Sequence, residues 1–276
     1  MPATSIKSRS LGLLGAGNMA EALVRGALKT GLVPKDAVIA SDISAERRAF
    51  FERELGVRAT PDNHAVVRRA DVLVLCVKPQ QVDEVLSGIK AEFDPQRHVL
   101  ASICAGVTTA RLEKHLPVGA RTVRVMPNTP MLVGLGAACI AGGAYAQEAD
   151  LAEIEALFSS AAVVMRVKEP LLDAVTGLSG SGPAYLFYLV EAMTEAGMAE
   201  GLTQEDALKL SARTCLGAAK MLEDTGLPPD ELRRRVTSPN GTTQAAVEQL
   251  DAGGVKAKLT AAVRRAVERS RELGRS

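Results

Sequence analysis

The stretch Leu11-Gly12-Leu13-Leu14-Gly15-Ala16-Gly17-Asn18-Met19-Ala20 decides the fold. Ser10 to Leu14 is an apolar run of strand length. Beyond the glycines, Ala22, Leu23, Ala27 and Leu28 recur at helical spacing. A strand, a G-x-G-x-x-A turn and a helix start form the phosphate cradle of a dinucleotide-binding fold. Gly15 permits the tight turn. Gly17 lets a pyrophosphate approach the backbone. Ala20 is small enough for the helix to press on the strand. The helix start adds unpaired N–H groups and a positive dipole end. Gly15, Gly17, Asn18, Met19 and Ala20 are therefore candidate cofactor-binding residues.

Working outward, apolar strands and helical stretches alternate as far as about residue 167. The strand signals are Ala37–Ala40, Val57–Ala59, Asp71–Val77, Val99–Ile103, Thr122–Met126, Gly136–Ala141 and Ala162–Val167. In Asp71–Val77 every residue after Asp71 is apolar, as in a parallel strand covered on both faces. Alternation of this kind implies an α/β, doubly wound, Rossmann-like sheet. After residue 167 only helices are expected: Leu171–Leu178, Pro183–Ala199, Gln204–Glu223, Pro229–Val236, Thr242–Leu250 and Val255–Leu273. The expected division is a dinucleotide-binding domain over 1–167 and an all-helical domain over 168–276 for substrate binding and dimerisation.

Bulk composition narrows the function. The chain has 276 residues, 47% of them hydrophobic and 24% charged, with a net charge of +1. No strong field favours nucleic acid or an anionic membrane, and 3% aromatics with no Trp leave few stacking platforms for bases. Arg233-Arg234-Arg235 reads as a solvated helix face. Cys76, Cys104, Cys139 and Cys215 form no CxxC pair, and His64, His98 and His115 have no metal spacing, so no metal site is expected. Met1–Ser8 is short and mostly polar, unlike a secretory leader. The longest apolar run, Ala184–Val190, is too short to span a bilayer. A cytoplasmic enzyme is the expectation.

That run is nevertheless apolar all round, so its helix must be covered on all sides. A helical domain of about 110 residues has little to cover it with, and a second subunit is the simplest cover. The next helix is rich in small residues (Ala207, Ser211, Ala212, Gly217, Ala218, Ala219), which allows close approach. A dimer through the C-terminal domain is expected.

In open α/β sheets, ligands bind beyond the carboxyl ends of the strands. The loops there are Gly15–Ala20, Ser41-Asp42, Val77-Lys78-Pro79, Ala105-Gly106 and Asn128-Thr129-Pro130. Asp42 suits the ribose diol of NAD and opposes a 2′-phosphate, whereas Ser41, Ser44, Arg47 and Arg48 suit that phosphate. Both cofactors stay open on this reading. Two further glycine-rich stretches are candidates: Thr176–Pro183, read as a joint between helices, and Val236–Thr243, preceding a helix whose free N–H groups suit a carboxylate.

At these residues the chain resembles the pyrroline-5-carboxylate reductases. The likeness rests on Gly12–Ala20, Val77-Lys78-Pro79-Gln80, Ala105-Gly106-Val107-Thr108, Met126-Pro127-Asn128-Thr129-Pro130, Asp173–Tyr185 and Thr237–Thr243, six matches in order along nearly the whole chain. Ser238-Pro239-x-Gly241-x-Thr243 looks like the family's signature loop. The resemblance implies reduction of the ring C=N of 1-pyrroline-5-carboxylate to L-proline by NADPH or NADH. It implies a homodimer, commonly assembled as a ring of five dimers, with substrate between a sheet domain and the dimer's helices. It places the residues matching Ser41 and Asn63 at the adenosine ribose or its phosphate. Those matching Val77, Lys78, Pro79, Ala105 and Gly106 line the cofactor. Those matching Glu169, Ser238, Gly241, Thr242 and Thr243 face the substrate, with the Thr243 hydroxyl on the ring nitrogen. Two departures stand out. Asn240 replaces the family's usual Gly, and Asp42 puts an acid where a phosphate gains nothing from one. The rival readings are a β-hydroxyacid-dehydrogenase-like enzyme, which needs a catalytic Lys in the helical domain, and a non-catalytic nucleotide-binding protein.

Overall fold

The computed structural model describes residues 9–275; the reading of Met1–Ser8 lies outside them. Eight strands form one sheet: β1 (Leu11–Leu14), β2 (Val38–Ser41), β3 (Arg58–Thr60), β4 (Val72–Leu75), β5 (Val99–Ser102), β6 (Arg121–Pro127), β7 (Gly136–Gly142) and β8 (Ala162–Arg166). Their spatial order is β3-β2-β1-β4-β5-β6-β7-β8. The first six run parallel, in the order of a doubly wound nucleotide fold. β7 pairs antiparallel to β6, and β8 runs parallel to β7.

Side-chain alternation divides the core into two layers. Leu11 and Leu13, Val72 and Val74, and Val99 and Ala101 face a cluster built on α1 (Asn18–Lys29) and α6 (Glu148–Ser159). Leu14, Leu73, Leu75 and Leu100 face the other, built on α3 (Asn63–Arg69), α4 (Val82–Ile89) and α5 (Thr109–Lys114). Both faces of the central strands are thus sealed, which explains the unbroken apolar run that follows Asp71.

Two helices are shorter than their periodicity predicts. Ala45–Leu55 is α-helical only over α2 (Ala45–Phe50) and widens to a π-turn at Phe51–Leu55. It ends at Gly56 in the left-handed conformation, φ 66°. Leu171–Leu178 is helical over α7 (Leu172–Val175) and then widens over Thr176–Gly180. That glycine stretch is therefore a wide helical turn and not an open joint. Its glycines serve packing: Gly177 is buried, and a Cβ on Gly180 would lie 2.4 Å from Met126 Cε of β6.

The remaining helices are α8 (Gly182–Ala199), α9 (Gln204–Thr225), α10 (Pro229–Arg235), α11 (Thr242–Ala252) and α12 (Val255–Arg275). By contacts the chain forms two compact units, Ser181–Arg265 and the rest, so the end of α12 from Ala266 returns to the sheet unit. Within Ser181–Arg265 only Thr194, Ala207 and Ser211 are buried, while Leu186, Phe187, Tyr188 and Leu189 are 47–75% exposed. Arg234 and Arg235 pair with Glu231 along α10, as a solvated helix face should.

Candidate active site

Beyond the carboxyl ends of β1, β2 and β4 lies an open cleft of about 410 Å³. It is lined by Gly15, Gly17, Ser41, Asp42, Ile43, Ser44, Asn63, Cys76, Val77, Lys78, Gln81 and Val85. Six residues expected at a cofactor (Gly15, Gly17, Ser41, Asn63, Val77 and Lys78) thus meet in one place. The cradle fits a pyrophosphate. Gly15 has φ +102°, and a Cβ there would lie 2.7 Å from the Cys76 carbonyl oxygen. A Cβ on Gly17 would meet nothing within 4 Å, so its open side faces free space. Gly17 is also the N-cap of α1 and supplies no capping side chain, which leaves the first-turn N–H groups of Asn18, Met19 and Ala20 for an anion. Pro79 opens a single 3-10 turn after Lys78, and Ala105-Gly106 lies on the loop after β5.

The charged residues around β2 hold the cradle in shape. Asp42 accepts from the N–H of Ala16 and the N–H of Ser44, both at 2.8 Å, and so ties the glycine turn to the β2 turn. Arg47 donates Nε to the Ala16 carbonyl at 2.7 Å and Nη2 to Glu21 at 3.1 Å, and its guanidinium lies 4.7 Å from the Phe50 ring centre. Arg48 donates to the carbonyls of Asp42 and Ile43. The Ser44 hydroxyl caps α2. Ser41 is buried and donates to Asn63 Oδ1 at 2.6 Å, placing Asn63 at the cleft. Arg47, which suits a phosphate by its place after β2, is bonded to the Ala16 carbonyl, a contact that helix spacing does not encode.

The two thiols near the cleft are held in the neutral form. Burial, with Cys104 nearby, pushes the Cys76 thiol well up, and burial pushes Cys104 up to about 11. Cys104 donates to the Val77 carbonyl at 3.2 Å.

Glu169 belongs to the sheet unit and has partners of its own. Its carboxylate accepts from the N–H and the hydroxyl of Thr109, each at 2.7 Å, and lies 3.6 Å from Arg124. Ser238, Gly241, Thr242 and Thr243 come together in the other unit. Gly241 donates its N–H to the Ser238 carbonyl at 3.1 Å and is the N-cap of α11, again without a capping side chain. Thr242 and Thr243 are its first two helical residues, so their N–H groups point out of the helix start. Asn240 has φ 59°, the one left-handed non-glycine among the described residues, and its N–H is held by Gln244 Oε1 at 2.8 Å. Asn tolerates this conformation better than most residues, which is how the loop keeps its shape without the usual Gly.

The profile of the pyrroline-5-carboxylate reductase dimerisation family matches residues 169–273. That of the NADP oxidoreductases described as coenzyme F420-dependent matches residues 10–106. A pyrroline-5-carboxylate reductase of Methanosarcina acetivorans is 43% identical, covering 98% of this chain and 100% of its own. That of Glycine max is 41% identical over 97% of both. The chain belongs to the pyrroline-5-carboxylate reductase family. Its fold agrees: the Coxiella burnetii reductase superposes with a TM-score of 0.91 at 35% identity, covering 98% and 100% of the two chains. The Plasmodium falciparum reductase, solved with NADP bound, superposes at 0.87 and 28% identity over 97% and 99%. The dehydrogenase rival finds no support in the helical unit, where Lys209 and Lys220 are exposed and Lys220 pairs with Glu223 and Asp224 along α9. Among the described residues no group of His, Cys, Asp and Glu could hold a metal ion, and no helix is long and apolar enough to cross a membrane.

Proposed function

We propose that this protein reduces 1-pyrroline-5-carboxylate to L-proline with NADPH, and with NADH as second donor, the last step of proline biosynthesis. The end-to-end match to reductases of that name carries this reading. The open Gly17 cradle and the uncapped start of α11 support it. Gly15, Gly17 and the first turn of α1 hold the pyrophosphate; Ser41 and Asn63 serve the adenosine ribose; Val77, Lys78, Pro79, Ala105 and Gly106 line the rest. When bound, the nicotinamide supplies the hydride that saturates the ring C=N.

The chain's own part is positioning and electrostatics. The N–H groups of Gly241 to Thr243 and the dipole of α11 hold the substrate carboxylate. Ser238 shapes the turn that presents them. The Thr243 hydroxyl bonds the ring nitrogen. An iminium binds already protonated and accepts hydride at carbon, so no strong general acid is needed. Glu169 serves the same reaction from the sheet unit, through Thr109.

The helical region from 168 onward is the dimerisation and substrate domain of this reading, and the working form is a cytoplasmic homodimer, in the ring of five dimers that the family resemblance implies. Separate assays of NADPH and NADH oxidation with pyrroline-5-carboxylate test the activity. Oxidation of neither would overturn it.

A further inference from the structure

The last turns of the chain reach the loop after β5 by two routes. On the first, Ser270, 3% exposed, donates to Asp173 Oδ1 at 2.7 Å. Asp173 and Glu169 each lie 3.6 Å from the buried guanidinium of Arg124. Glu169 in turn grips the N–H and hydroxyl of Thr109, the first residue of α5. On the second, Leu273 and Gly274 lie against Gly106, whose φ is +76°. A Cβ on Gly274 would sit 2.9 Å from the Gly106 carbonyl oxygen, so the two backbones are already in contact.

The segment between these two grips is Gly106–Thr108; the buried Val107 and the Thr108 hydroxyl that caps α5 anchor its middle, and the two grips hold its ends. α5 has six residues, too few to persist without outside contacts. Glu169 supplies one, a carboxylate on the helix's positive end. A left-handed glycine on the other side adds freedom that only packing removes.

We propose that the last two turns of α12 are a strap that fixes the Ala105–Thr108 loop against the nicotinamide half of the cofactor, with Ser270, Glu169 and Gly274 as positioning residues. The proposal rests on the reading that Ala105 and Gly106 line the cofactor. It gives a use to the pair of half-buried carboxylates, Asp173 and Glu169, that flank the buried Arg124 and that the chemistry does not otherwise require.

Two mild variants test it. Ser270→Ala removes one hydrogen bond and leaves Asp173 with Arg124. Gly274→Ala removes none but crowds the Gly106 carbonyl. In each, kcat/KM for NADPH falls about tenfold, the scale that a sub-ångström misplacement of a reactant produces. Affinity for 2′,5′-ADP, which reaches only the adenosine half, stays within twofold. Unchanged kcat/KM in both variants overturns the strap. So does an equal loss of 2′,5′-ADP affinity, which would mark a merely structural role. Ala105→Leu tests the underlying reading separately. If NADPH kinetics are indifferent to it, the loop does not line the cofactor. If it cripples them while Ser270→Ala and Gly274→Ala do not, the strap alone fails.

Discussion

At the scale of single residues, the clearest contrast is between Gly17 of the turn and Gly12 of β1. Gly17 faces open space, so Gly17→Val should fold normally and lose nucleotide binding. Gly12, where a Cβ would meet Ala70 Cβ at 2.6 Å, should instead lose stability when enlarged, by about 1–3 kcal/mol for overpacking. Thermal melts with and without NADP separate the two. Thr243→Ala should lower kcat/KM about 10²-fold, as loss of a positioned donor does, while nucleotide affinity is kept; steady-state kinetics beside NADP titration checks this. Asp42 places a carboxylate in the cleft lining and holds it with two N–H bonds. Asp42→Asn removes the charge and retains an acceptor for one of those bonds. The ratio of kcat/KM for NADPH over NADH should then rise about tenfold, equivalent to ~1.4 kcal/mol, as measured by parallel assays.

At the scale of elements, the β4–β5 region carries a built-in pH response. His98 is buried, accepts the Asp94 N–H at Nδ1 at 2.8 Å and donates Nε2 to the Val67 carbonyl at 3.1 Å. The Nδ1 bond requires the neutral ring, and burial, followed by the nearby Arg97 charge, lowers its pKa from 6.5 although the Val67 carbonyl favours the charged form. The unfolded chain therefore takes up the proton first on acidification. Stability should be full above about 6.5 and decline as pH falls from there toward the lower folded value. Urea melts between pH 7.5 and 5 would show it, and His98→Gln should flatten the slope. Asp71 acts at lower pH. Burial raises it, but Arg97 at 2.7 Å and the Ser10 N–H and hydroxyl outweigh that and lower its pKa from 3.8. Its contribution is present above about 3.8 and lost below.

At the scale of the whole molecule, the helical unit has too little buried surface to stand alone. α8 leaves Phe187 and Tyr188 63% and 75% exposed, and α9 leaves Leu208, Leu210 and Leu216 48–58% exposed. Burying such side chains yields roughly 1.5–3 kcal/mol each. A partner that covers them should make folding and dimerisation inseparable. Phe187→Glu should therefore give a monomer of lower melting temperature, or insoluble protein, while Lys209→Glu on an exposed site should leave the dimer intact. Sedimentation at micromolar concentration decides this, and a monomeric wild type would refute it.

Much of this is legible in the sequence itself. The alternation of strands and helices, the bounds of α3, α4 and α6, and the glycine turn follow from local chemistry: side-chain period, small residues and helix caps act between neighbours in sequence. The loop at Ser238–Thr243 was legible for the same reason. What only the tertiary structure decided involves residues far apart along the chain. Asp42 meets Ala16, Arg47 meets the Ala16 carbonyl, Glu169 meets Thr109, and Gly274 meets Gly106. Hydrophobic periodicity reports which face of an element is buried, but a hydrogen bond or an ion pair depends on where two distant backbones arrive, and no spacing in the sequence encodes that arrival.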